Sequence, residues 1–315
     1  MKKITIAVFS VAIGATIFVP LQISKSHKKI VAKKGIEKVR LDQVNELKLK
    51  QADNLKYQPK LPQGGGVNYD LDVLAETAIV IDPETGNVLY EKNSKASLPP
   101  ASIAKILTAL VASENMDLNQ RLKVSEKAAG MEPNKIVMQV GEEIRLEDLL
   151  YGLMMISAND AAEVIAENYP GGRQAFIDKL NGKIEELGLK DTHYMNPSGL
   201  DEDDFYASAF DVATITNYCI HKKPEVLKWA GTLSYTIPAT EGINNAHSLY
   251  HISQLIDSYP YMIASKPGFT DNAGHTLIGV ADRSGKKVIM VYFNSPDGMN
   301  DGRNLFEYGF AKLGA

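Results

Sequence analysis

The sequence predicts an α+β domain in which strands from both ends of the folded region share one antiparallel sheet, helices fill the middle, and an apolar helix precedes the whole. Three observations carry this. Short apolar runs with extended spacing lie at 78–91 and again at 261–293, helical spacing dominates from 99 to 187, and a charge-free run stands at the N-terminus.

The 315 residues are 44% hydrophobic and 23% charged, enough to bury a sizeable core. The net charge of −4 removes the uniformly basic footprint of nucleic-acid binders, so no nucleic-acid partner is expected. The charge is uneven: residues 1–60 hold 13 basic and 4 acidic side chains (+9), which leaves 21 basic and 34 acidic (−13) for the rest. The single cysteine, Cys219, can form no internal disulfide and reads as a core thiol.

Taken in order, Ile4 to Ser24 is 21 residues without charge, just long enough to cross a bilayer as a helix. The small residues a signal peptidase needs lie deep inside the run, around Ala12 to Ala15, which favours a retained anchor over a cleaved signal. Lysines 25, 28, 29, 33 and 34 follow it, whereas only Lys2 and Lys3 precede it, so charge alone predicts the opposite orientation to an external domain. Residues 1–26 are thus read as a signal peptide or membrane anchor, and 27–72 as a basic stalk ending in the linker YQPKLPQGGGV.

The folded part is expected from about Leu71. Ala78–Asp82 and Val88–Glu91 flank the turn residues Pro83–Gly86 and read as a hairpin. Pro99 and Pro100 open a helix whose stripe is Ile103, Ile106, Leu107, Leu110 and Val111. A helical block from Leu146 to Ile156 breaks at Ser157-Ala158-Asn159 and resumes from Asp160 to about Asn168; Gln174–Leu187 is helical again, with Gly188 as its stop. Tyr261–Lys266, Thr276–Asp282 and Lys287–Phe293 read as strands, followed by a last helix near Asn304–Lys312.

The chemistry sits in three places. Ser102 and Lys105 are three apart at a helix start, so the amine can reach the hydroxyl. A serine is a weak nucleophile until a base takes its proton, and lysine becomes that base when desolvation or a nearby cation favours its neutral form. Ser157-Ala158-Asn159 presents a hydroxyl and an amide from a helix break, and Ser265-Lys266-Pro267-Gly268 lies on a C-terminal strand. His247 and His251, four apart, could share a helical face, but spacing supplies no third ligand, so no metal is expected. The run Asp201–Asp204 reads as a solvated loop.

Read in order as S-I-A-K, S-A-N and K-P-G, these motifs resemble those of the serine-type D-Ala-D-Ala carboxypeptidases, the low-molecular-mass penicillin-binding proteins. Asn196-Pro197-Ser198-Gly199-Leu200-Asp201, Ser208 and Asp211 before an Ala-rich helix, Gly268-Phe269-Thr270 and Glu307-Tyr308-Gly309-Phe310 extend the likeness over about 73–315, the expected catalytic domain. The resemblance implies a β-lactamase/transpeptidase-like fold with an all-helical subdomain, located outside the cytoplasmic membrane. It implies that Ser102 forms the acyl-enzyme, Lys105 takes its proton, and Ser157 and Asn159 relay protons and hold the substrate amide. Lys266, Gly268, Phe269 and Thr270 would bind substrate, with the N–H groups of Ser102 and Phe269 as the oxyanion hole. The implied partners are peptidoglycan stem peptides ending in D-Ala-D-Ala, β-lactams as covalent inhibitors, and the membrane through the N-terminal helix; no cofactor is implied.

The chain departs from the pattern at Pro267, where the family has Thr or Ser. Proline offers neither a hydroxyl nor an N–H, so a charge-assisted bond to the substrate carboxylate, about 1.5–3 kcal/mol, is missing. This keeps open a catalytically weak protein that binds penicillin or wall peptide. A class A-like β-lactamase is disfavoured because no E-x-x-L-N pattern lies between Asn159 and Lys266.

Overall fold

The computed structural model describes residues 40, 42–62 and 71–315. The expected signal or anchor at 1–26 lies outside them, as does part of the stalk. The chain divides at Leu49; residues 42–49 are helical, and Lys50–Ala315 forms the unit described below.

That unit starts earlier than the expected boundary near 73. Gln51 Nε2 donates to Glu185 O (2.7 Å), Asn54 Nδ2 to Glu186 O (3.2 Å) and Gln58 Nε2 to Leu187 O (3.2 Å), which satisfies carbonyls that the end of a helix leaves without intrahelical partners. Tyr57 is buried, packs edge-on against Tyr218 at 5.2 Å, and accepts at its carbonyl from Asn217 Nδ2. Local composition read this stretch as a spacer. Its polar side chains instead serve carbonyls more than a hundred residues away.

The main sheet contains β1 (Thr77–Ile81), β2 (Val88–Lys92), β7 (Met262–Thr270), β8 (Gly274–Arg283) and β9 (Lys286–Ser295), in the order β2-β1-β9-β8-β7 and antiparallel throughout. The first hairpin thus joins the C-terminal strands, as expected. Ile79 and Ile81 pack on the helical side with Ile289 and Val291, while Ala78 and Val80 face the C-terminal helix with Leu305, Phe306 and Phe310. Burial on both faces explains why β1 reads as an unbroken apolar run rather than an alternation.

The helical region holds α1 (Lys105–Asn115), a short α2 (Glu126–Ala129), α3 (Leu146–Met155), α4 (Asn159–Glu167), α5 (Gly172–Glu186), α6 (Ala209–Lys222) and α7 (Pro224–Gly231). Short α8 (Gln254–Ser258) and the C-terminal α9 (Gly298–Leu313) follow. Helix α9 starts six residues before the expected Asn304, because the Asp297 carboxylate caps it by accepting from Asn300 N. Two ribbons not read from the sequence, β3/β4 (Arg121–Lys123, Glu143–Arg145) and β5/β6 (Ser234–Ile237, His247–Tyr250), lie outside the main sheet. His247 is therefore on a strand and His251 follows it, so they share no helical face: His247 Nε2 is 3.3 Å from Glu142 Oε2, and His251 Nε2 donates to Ala230 O (3.0 Å).

Candidate active site

Ser102 and Lys105 do not both lie in one α-helix. Ala101–Ala104 is a 3₁₀ turn and Lys105 is the first residue of α1. With three residues per 3₁₀ turn, side chains at i and i+3 eclipse, which sets Lys105 Nζ 2.8 Å from Ser102 Oγ. Ala101 is in the left-handed region (φ 48°). The turn rests on Gly199 (φ 86°), where a Cβ would fall 1.9 Å from Ala101 O, so only glycine lets the 196–200 segment pass this close.

Lys105 is fully buried. Its Nζ donates to Asn159 Oδ1 (2.7 Å) and to Ser198 O. Asn159 is held in one orientation, since its Nδ2 donates to Glu132 O and Pro133 O, both at 3.1 Å. Burial first, and Lys266 second, push the Lys105 amine well below the ordinary lysine range, with Asp160 opposing them. Asp160 is buried beside Asn159. Its carboxylate accepts from Ile136 N and Val137 N (3.0 Å each) and Ala161 N (2.8 Å), which ties the 132–138 loop to the start of α4.

Ser157, where the helical block breaks, adopts φ 63° and turns its buried hydroxyl toward β7, accepting from Lys266 Nζ at 2.9 Å. Lys266 also donates to Pro267 O (2.8 Å), and burial pushes its amine down to about 7. β7 is an edge strand, where the N–H that proline lacks need not cost a ladder hydrogen bond. At Gly268 a Cβ would lie 2.8 Å from Ser102 N and 2.5 Å from Thr276 Oγ1, so glycine lets β7 approach the serine turn.

Ser102, Ser157, Asn159, Gly268, Phe269 and Thr270 line one cleft of about 370 Å³, and Lys266 reaches it through Ser157. Every residue predicted for the site thus converges here, including the strand and loop contributions that lie 55 to 168 positions from Ser102 in sequence. Phe269 is 56% exposed at the rim against His275. Thr270 is committed elsewhere, donating to Asp201 Oδ1 (2.8 Å), which ties the acidic run to β7. Ser265, one residue before Lys266, is likewise committed, buried with its hydroxyl 2.6 Å from Ser253 Oγ. Sequence reasoning missed Ser198, Asp160, Ile252 and the Pro133-Asn134 wall. Asp160 lies next to the Ser-Ala-Asn motif and Ser198 within the Asn-Pro-Ser-Gly segment, but nothing local marked either as a site residue.

This chain is similar to a D-alanyl-D-alanine carboxypeptidase of Bacillus subtilis, 34% identical over 238 residues, 74% of this chain and 60% of that relative. It is 32% identical over 225 residues to a D-alanyl-D-alanine endopeptidase of Pseudomonas aeruginosa, covering 69% of this chain and 70% of that one. Among solved structures it superposes on a D-alanyl-D-alanine carboxypeptidase from Mycobacterium tuberculosis with a TM-score of 0.72 at 29% identity, covering 79% of this chain and 96% of the other. It matches the Streptomyces K15 DD-transpeptidase at 0.72 and 26% identity, covering 78% and 100%. With residues 66–297 matching the family model described as D-alanyl-D-alanine carboxypeptidase, the chain belongs to the S11 peptidase family.

Proposed function

We propose that this protein is a serine D-alanyl-D-alanine carboxypeptidase acting on peptidoglycan stem peptides outside the cytoplasmic membrane. The observation that carries the reading is the surroundings of Lys105. A neutral amine has two N–H donors and one lone pair. Asn159 Oδ1 and Ser198 O can only accept, so they take both donors, and the lone pair is left facing the Ser102 hydroxyl, the one neighbour that can give a proton. No carboxylate touches Lys105 Nζ among the described residues, so the buried site favours the uncharged base.

In the reaction, Ser102 Oγ bonds to the carbonyl carbon of the penultimate D-Ala as its proton passes to Lys105 Nζ. The N–H groups of Ser102 and Phe269 stabilise the oxyanion. The bond to the terminal D-Ala nitrogen breaks, and that amine takes a proton through Ser157, whose oxygen accepts from Lys266 and whose hydrogen is free to be donated. Water, deprotonated by Lys105, then cleaves the acyl-enzyme. Lys266 supplies positive charge for the terminal carboxylate, and a β-lactam follows the same first step.

The N-terminal apolar run would export the domain and hold it at the membrane. A second reading, a protein that binds wall peptide or penicillin with little turnover, is favoured by Pro267. Intact-protein mass spectrometry separates the readings. After penicillin a stable adduct on Ser102 is expected, and a D-Ala-D-Ala peptide should lose one D-Ala. Adduct without release of D-Ala supports the weak binder, and absence of any adduct overturns both.

A further inference from the structure

The Asn-Pro-Ser-Gly-Leu-Asp segment enters the reaction above only through the Ser198 carbonyl, which takes one N–H of Lys105. We propose that Asn196 is a positioning residue for the acylation base: its side chain folds residues 196–202 so that the Ser198 carbonyl holds the Lys105 amine with its lone pair toward Ser102. The inference rests on Ser102 acylation as proposed above.

Asn196 is buried and its amide is fully used. Oδ1 accepts from Ser198 N (3.1 Å), Ser198 Oγ (3.0 Å) and Gly199 N (2.9 Å), while Nδ2 donates to Leu200 O and Glu202 Oε2, both at 2.9 Å. Every one of these bonds ends within residues 196–202, so the side chain ties no two distant elements together. What it fixes is the shape of one turn. Asparagine suits this because its short amide can bond the backbone two residues on, and the neighbours narrow the choice further, Pro197 by its ring and Gly199 by its φ of 86°.

The turn meets the serine helix at three successive residues. Pro197 O accepts from the buried Thr108 hydroxyl (2.8 Å), Ser198 O accepts from Lys105 Nζ, and Gly199 packs against Ala101. Lys105 and Thr108 stand three apart on one face of α1, so two consecutive carbonyls must both turn to that face. In an extended chain they would point to opposite sides. By drawing Ser198 N and Gly199 N to itself, the Asn196 oxygen makes the bend that brings both carbonyls to α1.

The consequence is chemical. A neutral amine offers two N–H groups, and Asn159 Oδ1 and Ser198 O take them. With the Ser198 carbonyl withdrawn, only Ser102 Oγ is left among the bonded neighbours to accept the second N–H, so the amine donates to the nucleophile instead of taking its proton. A carbonyl acceptor also favours the charged amine, so its withdrawal moves Lys105 further toward the neutral form, in the direction in which burial and Lys266 already push and against Asp160. Withdrawal therefore changes both the rate constant and its pH dependence. Loss of folded protein alone changes neither.

The test is the time course of Ser102 acylation by penicillin on the full-length protein, followed by intact-protein mass spectrometry across pH, with the rate constant read separately from the final adduct yield. Asn196→Leu, similar in size but without an acceptor, should slow acylation ~100-fold on the pH plateau and move the acid limb to lower pH. Asn196→Asp keeps an oxygen for Ser198 N and Gly199 N and should stay within ~10-fold of wild type, with its limb moved to higher pH by the added charge. Thr108→Val, which releases Pro197 O from α1, should slow acylation ~10-fold. A wild-type rate constant for Asn196→Leu overturns the positioning role, as does an unmoved limb or equal slowing by Asn196→Leu and Asn196→Asp. Should Asn196→Leu fail to fold, Thr108→Val decides, and a wild-type rate constant there overturns the role. The wild-type sample keeps the two claims apart: no adduct on Ser102 removes the underlying reaction, whereas an adduct formed equally fast by the variants removes only this inference.

Discussion

Burying Lys266 should cost stability that replacing it returns, in an amount set by pH. Its amine titrates at about 7 in the fold against 10.5 for an ordinary lysine. Between those values the unfolded chain binds more protons than the folded one, so stability rises with pH across the window; below pH 7 the full cost, about 5 kcal/mol, is present. Raising the pH from 7 to 9 should therefore recover about 2 kcal/mol from this residue alone. Lys266→Met removes the effect but leaves Ser157 Oγ and Pro267 O without their donor, at about 1 kcal/mol each. The variant should be more stable than wild type by about 2 kcal/mol at pH 7, with the gap closing by a similar amount at pH 9. Loss of this second cation also relaxes Lys105, which acts in the same direction. Urea unfolding of both proteins at the two pH values measures the difference, and a gap that stays constant with pH would refute the reasoning. The same variant should acylate more slowly with carboxylate-bearing substrates, so the stability it gains is what the site gives up for its charge.

Three further outcomes follow from the geometry. Gly268→Ala puts a methyl 2.8 Å from Ser102 N and should slow penicillin acylation ~100-fold while circular dichroism stays native; acylation near the wild-type rate would contradict the close approach. Asp160→Asn removes the anion that holds the Lys105 amine up, so the acid limb of the acylation profile should move to lower pH as kcat/KM falls; a limb that stays put would leave Asp160 as loop support only. Tyr57→Ala should cost about 3 kcal/mol in urea unfolding, and a change below about 0.5 kcal/mol would show that residues 51–60 do not belong to the packed unit.

The site was legible in the sequence where chemistry requires particular side chains and order carries them. Ser102 and Lys105 are near neighbours whose spacing already implied contact, whereas Ser157, Asn159 and Lys266 could be joined to them only through the order of motifs the chain shares with its family. Asp160 and Ile252 were not legible, because a backbone-binding carboxylate and a cleft-wall isoleucine look like any other Asp and Ile until distant chain meets them. Residues 51–60 misled for the same reason: polar residues beside proline and glycine read as a spacer.

By itself the sequence determined the periodic elements, β1 and β2, the helical blocks and the three C-terminal strands, together with the residue types available for nucleophile and base. These depend on neighbours within a few positions. Only the tertiary structure decided that the 3₁₀ turn eclipses Ser102 with Lys105, that Asn159 and Ser198 occupy both amine donors, and that the turn built on Asn196 meets α1. Those depend on which distant groups are brought together, and on burial, which removes charge from the two lysine amines.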